Sequence, residues 1–303
     1  MDAEGLLAVK IEILANPFSG TQNGPTRAGD VAGHLARRGH QCKVVVATSR
    51  EAATEWASQV GDVDRIAVVG GDGSLAPVVE GLTTPFPPLA LCPLGTGNML
   101  GKELKIPTRA AALADMIENG RVQEMDTGIL SSNHGKARRR SCILWGFGLD
   151  AELMKRMEEK RQGPLHKAQY LPLLGNILKK WEPVPQRVVA DGEDLGEFDF
   201  GFVSGTHTYA TPLLKLAPCA YDDGFWELYL IPKFTLASGT LAALAAASGK
   251  IHHIHDLVRR KVKKVQVIGR HPAPVQTDGD YIGCTPVEFH LDGARLPLLV
   301  PNP

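Results

Sequence analysis

The sequence predicts an α/β domain built on a parallel sheet, followed by a mostly antiparallel β domain. Three observations carry this prediction. Up to about residue 119, short apolar runs alternate with segments of helical spacing. Two glycine-rich loops stand directly after such runs, where ligands of parallel sheets bind. From about Val122 onward, strand-like runs separated by turn signals dominate. With 303 residues and 44% hydrophobic content, the chain can fill two packed cores.

The first element is the apolar run Val9 to Ala15, a buried strand ended by the turn Asn16-Pro17-Phe18-Ser19-Gly20. Arg27 to Arg38 follows as a helix, with Ala28, Val31, Ala32 and Leu35 on one face and Gly39 as its stop. Cys42 to Ala47 is a strand, Arg50 to Val60 a helix, and Arg65 to Val69 a third strand running into Gly70-Gly71-Asp72-Gly73-Ser74. Leu75 to Leu82 is a helix. Leu89 to Cys92 is a strand that enters Pro93-Leu94-Gly95-Thr96-Gly97-Asn98, and Thr108 to Asn119 closes the first half as a helix. Strand, helix and strand in alternation imply crossovers between parallel strands.

In the second half the expected strands are Cys142 to Trp145, Arg187 to Ala190, Phe198 to Val203, Trp226 to Ile231, Val262 to Ile268 and Val287 to Leu291. A charged helix is expected over Ala151 to Gln162 and another around Tyr170 to Lys180. The alanine-rich stretch Phe234 to Ser248 is too short to span a bilayer, which needs about 20 residues.

Lys plus Arg and Asp plus Glu both number 33, so the overall charge gives no reason to expect nucleic acid as a partner. Five scattered cysteines, without a CxxC pair, fit a reduced cytoplasmic setting. The start of the chain has neither the basic residues nor the apolar core of a signal peptide.

In the first glycine-rich loop, glycines let backbone amides approach phosphate closely, and the helix that follows favours negative charge. The carboxylate of Asp72 would repel phosphate unless it holds a metal ion or accepts a proton. A plain strand-to-helix turn is the bland alternative. The second loop repeats the small and hydroxyl composition at the next strand end, which weighs against that alternative.

Together with Asn16-Pro17-Phe18-Ser19-Gly20, these loops match in order and spacing three nucleotide-site motifs of the diacylglycerol kinase catalytic domain. Gly146-Phe147-Gly148-Leu149-Asp150, Leu216-Ala217-Pro218, Tyr221-Asp222-Asp223-Gly224-Phe225 and Thr277-Asp278-Gly279-Asp280 look like the family's later motifs. The sequence thus resembles that family, most closely its small soluble bacterial lipid kinases. The resemblance implies a fold like that of NAD kinase and diacylglycerol kinase: an α/β nucleotide-binding domain over 1–124, a β-sandwich over 125–285, and a return strand in 286–303. It implies ATP and Mg²⁺ as the working pair, the nucleotide lying in the cleft between the domains.

Carried onto this chain, the nucleotide contacts would be Asn16, Thr48, Gly70, Gly71, Asp72, Gly73, Ser74, Leu75, Ala76, Gly95 and Thr96. Magnesium would sit on the backbone carbonyls of Ala220 and Phe225 beside the carboxylate of Asp223. Asp280 would be the general base, with Asp72 and Asp126 completing an acidic network. Phosphoryl transfer needs what these groups offer: charge neutralisation on the phosphates and an acceptor for the hydroxyl proton. Taken without the resemblance, Asp278-Gly279-Asp280 reads as an ordinary solvated turn.

The chain departs from the family's pattern at Met99, where an acid usually follows the asparagine, at Asp280, usually glutamate, and at Ser74, usually threonine. The expected function is a kinase that moves the γ-phosphoryl group of ATP to a lipid hydroxyl, meeting its lipid by peripheral contact with a membrane. Two rivals remain: an NAD kinase-like enzyme, which shares the Gly-Gly-Asp-Gly loop, and a non-catalytic nucleotide- or lipid-binding regulator of the same fold. Exposed strand edges permit a homodimer without requiring one. Two basic clusters, Lys136 to Arg140 and Arg259 to Lys264, and the amphipathic stretch Leu171 to Trp181 could each meet an anionic membrane, with solvated or core positions as their bland readings. His252, His253 and His255 beside Asp256 read as a surface segment rather than a metal site.

Overall fold

The computed structural model describes residues 8–19, 23–94, 97–132, 137–159, 177, 181–251, 254 and 257–303. The chain divides into two compact units, Met1–Glu124 with Leu296–Pro303, and Met125–Arg295.

In the first unit the order is β1 (Lys10–Ala15), α1 (Gly24–Ala36), β2 (Gln41–Val46), α2 (Arg50–Gln59), β3 (Arg65–Gly70), α3 (Asp72–Gly81), β4 (Leu89–Pro93), α4 (Met99–Glu103) and α5 (Ala110–Asn119). The strands pair in parallel in the order β2, β1, β3, β4. Ile11, Ile13, Ala67, Val69, Ala90 and Cys92 of the sheet pack against Val31 and Leu35 of α1 and Leu113 and Ile117 of α5. Helix α1 begins about a turn earlier than its apolar spacing predicts, because Pro25 lies in its first turn and its fixed φ is already helical there. Ser49 caps α2 by accepting the N–H of Ala52 at 3.1 Å.

The chain continues through β5 (Arg121–Ser132), β6 (Ala137–Ser141), β7 (Leu144–Phe147), α6 (Leu149–Glu159), β8 (Gln186–Ala190), β9 (Glu193–Phe198), β10 (Phe200–Ser204), β11 (Thr208–Tyr209), β12 (Thr211–Lys215), β13 (Trp226–Ile231), α7 (Leu236–Ala247), β14 (Val258–Val262), β15 (Lys264–Ile268), β16 (Pro274–Thr277), β17 (Asp280–Cys284) and β18 (Val287–Val300). The second unit is a sandwich of antiparallel sheets. One sheet has the order β14, β13, β10, β7, β16, β17; facing it are β8, β15 and β18. Trp145, Phe147, Val203 and Trp226 from the first interleave with Val188, Val265, Val267 and Phe289 from the second. The far side of the first sheet carries another apolar cluster, with Phe200, Phe202 and Tyr229 at its centre.

Two predicted strands are divided and a third starts too early. Phe198 to Val203 falls across the break between β9 and β10 and Val262 to Ile268 across that between β14 and β15, while Cys142 to Trp145 begins in the corner that follows β6 and reaches only the first half of β7. At the last break the carboxylate of Asp191 accepts the N–H groups of Lys263 and Lys264, and the chain changes sheets. The helix expected around Tyr170 to Lys180 lies outside the described residues apart from the buried Ile177, as does the histidine group apart from its neighbours. Among the described residues, no helix is long and apolar enough to cross a membrane.

Candidate active site

Asn16 and the Gly70 loop lie side by side because β1 and β3 are adjacent and in parallel register, Ala15 opposite Val69. Asn16 Oδ1 accepts the N–H of Phe18 at 2.9 Å, which folds the turn over the strand end. Its Nδ2 donates to Ser74 Oγ at 2.9 Å, and Ser19 Oγ lies 3.1 Å from the same hydroxyl. This cradle admits no extra carbon. A Cβ on Gly70 would stand 2.3 Å from Ser74 Oγ, and one on Gly24 2.1 Å from the carbonyl oxygen of Asn16. Ser19 belongs to this hydrogen-bonded cluster although the expected contact set left it out; its place in the Asn-Pro turn was the available signal.

The glycine-rich loop is shorter than the sequence suggests. Gly71 is the N-cap of α3, and Asp72, Gly73 and Ser74 already form its first turn. A helix N-terminus with exposed Gly73, where an added Cβ would meet nothing within 4 Å, is open to an anion. Leu75 and Ala76 turn their side chains into the core, so any contact they make is through the backbone. Thr48 is exposed just past β2. Gly95 and Thr96 lie outside the described residues.

Both carboxylate oxygens of Asp72 accept backbone N–H groups. Its Oδ2 accepts the N–H of Met99 at 2.6 Å and its Oδ1 that of Leu100 at 3.3 Å, so it caps the first turn of α4. Burial pushes its carboxyl above the usual carboxylate range, against the pull of those two donors. Met99, where the family usually has an acid, thus serves here through its backbone.

In the second unit Asp126 is buried and organises the Tyr221–Phe225 loop. Its N–H donates to the carbonyl of Tyr221 at 2.7 Å, its Oδ2 accepts the N–H of Gly224 at 2.6 Å, and Arg295 Nε lies 3.5 Å from its Oδ1. Gly224 has φ 76, a conformation that favours glycine. His207 stacks on Tyr221 with ring centroids 4.8 Å apart and contacts the carbonyl of Cys219 at 2.7 Å. Asp223 projects from this loop and is exposed. Its Oδ1 accepts the N–H of Phe225 at 3.1 Å, and Lys261 Nζ meets its Oδ2 at 2.5 Å. Carboxylate and carbonyl oxygens suit a hard cation such as magnesium. The ammonium of Lys261 is the group such an ion would displace.

Asp280 opens β17, paired with Thr277 across the turn Asp278-Gly279. Both turn residues have positive φ, 50 and 89, the geometry of a two-residue hairpin turn in which Asp-Gly is favoured. Asp278 is not solvated, contrary to the reading of this stretch as an ordinary surface turn. Its buried carboxylate accepts from Ser141 Oγ at 3.2 Å and from the N–H groups of Cys142, Ile143 and Leu144 at 2.9, 3.0 and 2.9 Å. Gln276 ties the turn to a second buried acid. Its Oε1 accepts the N–H of Gly279 at 3.1 Å, and its Nε2 donates to Asp150 Oδ2 at 3.0 Å, which also accepts from Tyr209 Oη at 3.0 Å. Burial pushes Asp150 up to about 6, despite these donors.

The structure therefore brings Asn16, Gly70, Gly71, Asp72 and Ser74 together in one unit, and Asp126 with Asp223 in the other, where Asp280 stands on its own hairpin. Among the described residues, no group of three or more His, Cys, Asp or Glu side chains is placed to hold a metal.

Residues 10–130 match the family model described as the diacylglycerol kinase catalytic domain. The diacylglycerol kinase of Bacillus subtilis is 27% identical over 290 residues, covering 92% of each chain. That of Staphylococcus carnosus is 26% identical over 289 residues, covering 92% of this chain and 91% of its own. The crystal structure of a diacylglycerol kinase from Bacillus anthracis superposes with a TM-score of 0.70 at 19% identity over 98% of both chains. A second structure from the same organism reaches 0.73 at 21%, and both likenesses speak to the fold. The matched segment begins at β1 and ends within β5, and the likeness to diacylglycerol kinases runs nearly end to end, which supports membership of the diacylglycerol kinase catalytic domain family.

Proposed function

We propose that the protein transfers the γ-phosphoryl group of ATP to a hydroxyl of a glycerolipid such as diacylglycerol. The observation that carries this reading is the cradle of Asn16, Ser19, Gly70 and Ser74 at the start of α3, built at the carboxyl ends of parallel strands in the segment that matches this family's model. The names of its relatives support the acceptor class.

In this reading the ATP phosphates approach the N-terminus of α3, where Gly71 and Gly73 leave backbone amides accessible and Asn16 holds the neighbouring turn. Asp72 keeps α4 and its preceding loop in place rather than touching the reacting atoms. The lipid hydroxyl oxygen attacks the γ-phosphorus and the bond to the bridging oxygen of ADP breaks. The hydroxyl proton passes to the carboxylate of Asp280. Magnesium, when bound with ATP, neutralises phosphate charge; Asp223 with the carbonyls of Ala220 and Phe225 would hold a second ion once Lys261 moves aside.

The test is to incubate the protein with γ-labelled ATP, Mg²⁺ and mixed micelles of candidate lipids, and to count label in the organic phase. Label is expected with a glycerolipid, and Asp280→Asn should lower it at least about 100-fold, the usual contribution of a positioned base. Label on NAD instead would establish the NAD kinase-like reading. Bound ATP with no labelled product from any acceptor would establish the regulator.

A further inference from the structure

Helix α7, Leu-Ala-Ser-Gly-Thr-Leu-Ala-Ala-Leu-Ala-Ala-Ala, contains no charged residue. A helix without a polar face belongs in a core or against lipid. Among the described side chains of α7, one side meets a core and another faces out. Ala242 packs on the cluster that includes Leu214 of β12 and Phe234. Leu241 and Leu244, three residues apart and hence on a common face, are 58% and 65% exposed, and Leu213 of β12 is 76% exposed. Strand alternation explains the last value, since Leu214 points inward and its neighbour must point out.

The ends of this apolar patch are basic. Lys215 closes β12, Lys233 precedes α7 and Lys250 follows it; all three are exposed, and neither α7 nor β12 contains an acid. The two conspicuous basic clusters of the sequence are different, because acids pair with much of their charge. Arg140 meets Asp292, Arg259 meets Glu227, Arg260 meets Glu193, Lys261 meets Asp223 and Lys264 meets Glu288.

We propose that the outward face of α7 and β12 is the surface by which the protein docks on an anionic phospholipid bilayer. Leu213, Leu241 and Leu244 enter the acyl boundary while Lys215, Lys233 and Lys250 meet the headgroups. Apolar burial and attraction to anionic headgroups are the two terms that hold an interfacial helix, and both are present here. The proposal rests on the lipid-kinase reading, since such an enzyme must reach a substrate that resides in a membrane.

The test is co-sedimentation with vesicles of equimolar phosphatidylcholine and phosphatidylglycerol, beside pure phosphatidylcholine vesicles, without ATP. The triple variant Leu213→Gln, Leu241→Gln, Leu244→Gln should partition at least about tenfold more weakly onto the mixed vesicles, its thermal melt unchanged. Lys233→Gln with Lys250→Gln should weaken binding to the anionic vesicles alone, by about fivefold per lysine, and only at low salt. Label transfer to a water-soluble short-chain diacylglycerol should be unchanged in both variants. Wild-type protein that ignores the vesicles, or a leucine variant that binds them equally well, would overturn the proposal. So would a dimer that dissociates on leucine replacement, which would give the patch to a second copy. Because sedimentation involves no ATP, vesicle binding without lipid phosphorylation would leave the docking surface standing and sink the kinase reading; soluble-lipid phosphorylation without vesicle binding would do the reverse.

Discussion

Asp278 shows how a residue two positions from the proposed base acts on the fold rather than on the reaction. Four donors converge on its buried carboxylate, three of them successive N–H groups between β6 and β7. Asp278 is the acceptor these amides use at the corner, and a buried N–H left unmade costs about 1–3 kcal/mol. Asp278→Ala should therefore destabilise the protein by about 3–5 kcal/mol, read as a lower urea midpoint. Asp278→Asn should cost less, since it keeps one acceptor oxygen and tolerates the positive φ of 50. A loss below about 0.5 kcal/mol in the alanine variant would mean that solvent, not Asp278, satisfies the corner.

At the scale of elements, two of the three glycines in α1 have opposite demands. Gly24 faces the carbonyl of Asn16, where a Cβ would stand 2.1 Å from oxygen; Gly29 is exposed in the helix interior and its Cβ would meet nothing within 4 Å. Gly29→Ala should stabilise by about 0.5–1 kcal/mol through helix propensity. Gly24→Ala should lower the Tm and raise the KM for ATP, because the displaced backbone is that of Asn16. A Gly24→Ala protein with unchanged Tm and KM would show that the turn yields freely. The same scale shows what the sequence made legible. The alternation of elements in the first half, the strand Trp226–Ile231 and the three glycine or asparagine turns can be read locally, because period, turn chemistry and capping act over a few residues. The breaks at 142–143 and at 263 cannot. They are made by the carboxylates of Asp278 and Asp191, which lie 136 and 72 residues away in the chain. The capping of α4 by Asp72, 27 residues from Met99, was hidden for the same reason: the sequence does not show that this carboxylate also braces α4.

For the whole molecule, the largest consequence of the topology is that the first unit is not encoded by a continuous stretch. The last part of β18, from Leu296, belongs with residues 1–124, and Leu298 pairs in parallel with Leu89 of β4. Leu296, Leu298, Leu299 and Val300 are buried, Val300 approaches Gly120 through its carbonyl, and Asn302 Nδ2 donates to the carbonyl of Asn119 at 3.0 Å. Each buried aliphatic side chain contributes about 1.5–3 kcal/mol, so these four together approach the 5–15 kcal/mol by which a whole domain is stable. Residues 1–124 alone should thus lack a cooperative melt, while the same fragment carrying 296–303 on a flexible linker should recover one, followed by far-UV circular dichroism. A sharp thermal transition in the short fragment would show that the four-stranded sheet of β2, β1, β3 and β4 is sufficient by itself. In the full chain, the expected coupling makes truncation after Arg295 more damaging to nucleotide binding than its distance from Asn16 and Gly70 would suggest, because the strand it removes flanks β4, whose end leads into the second glycine-rich loop.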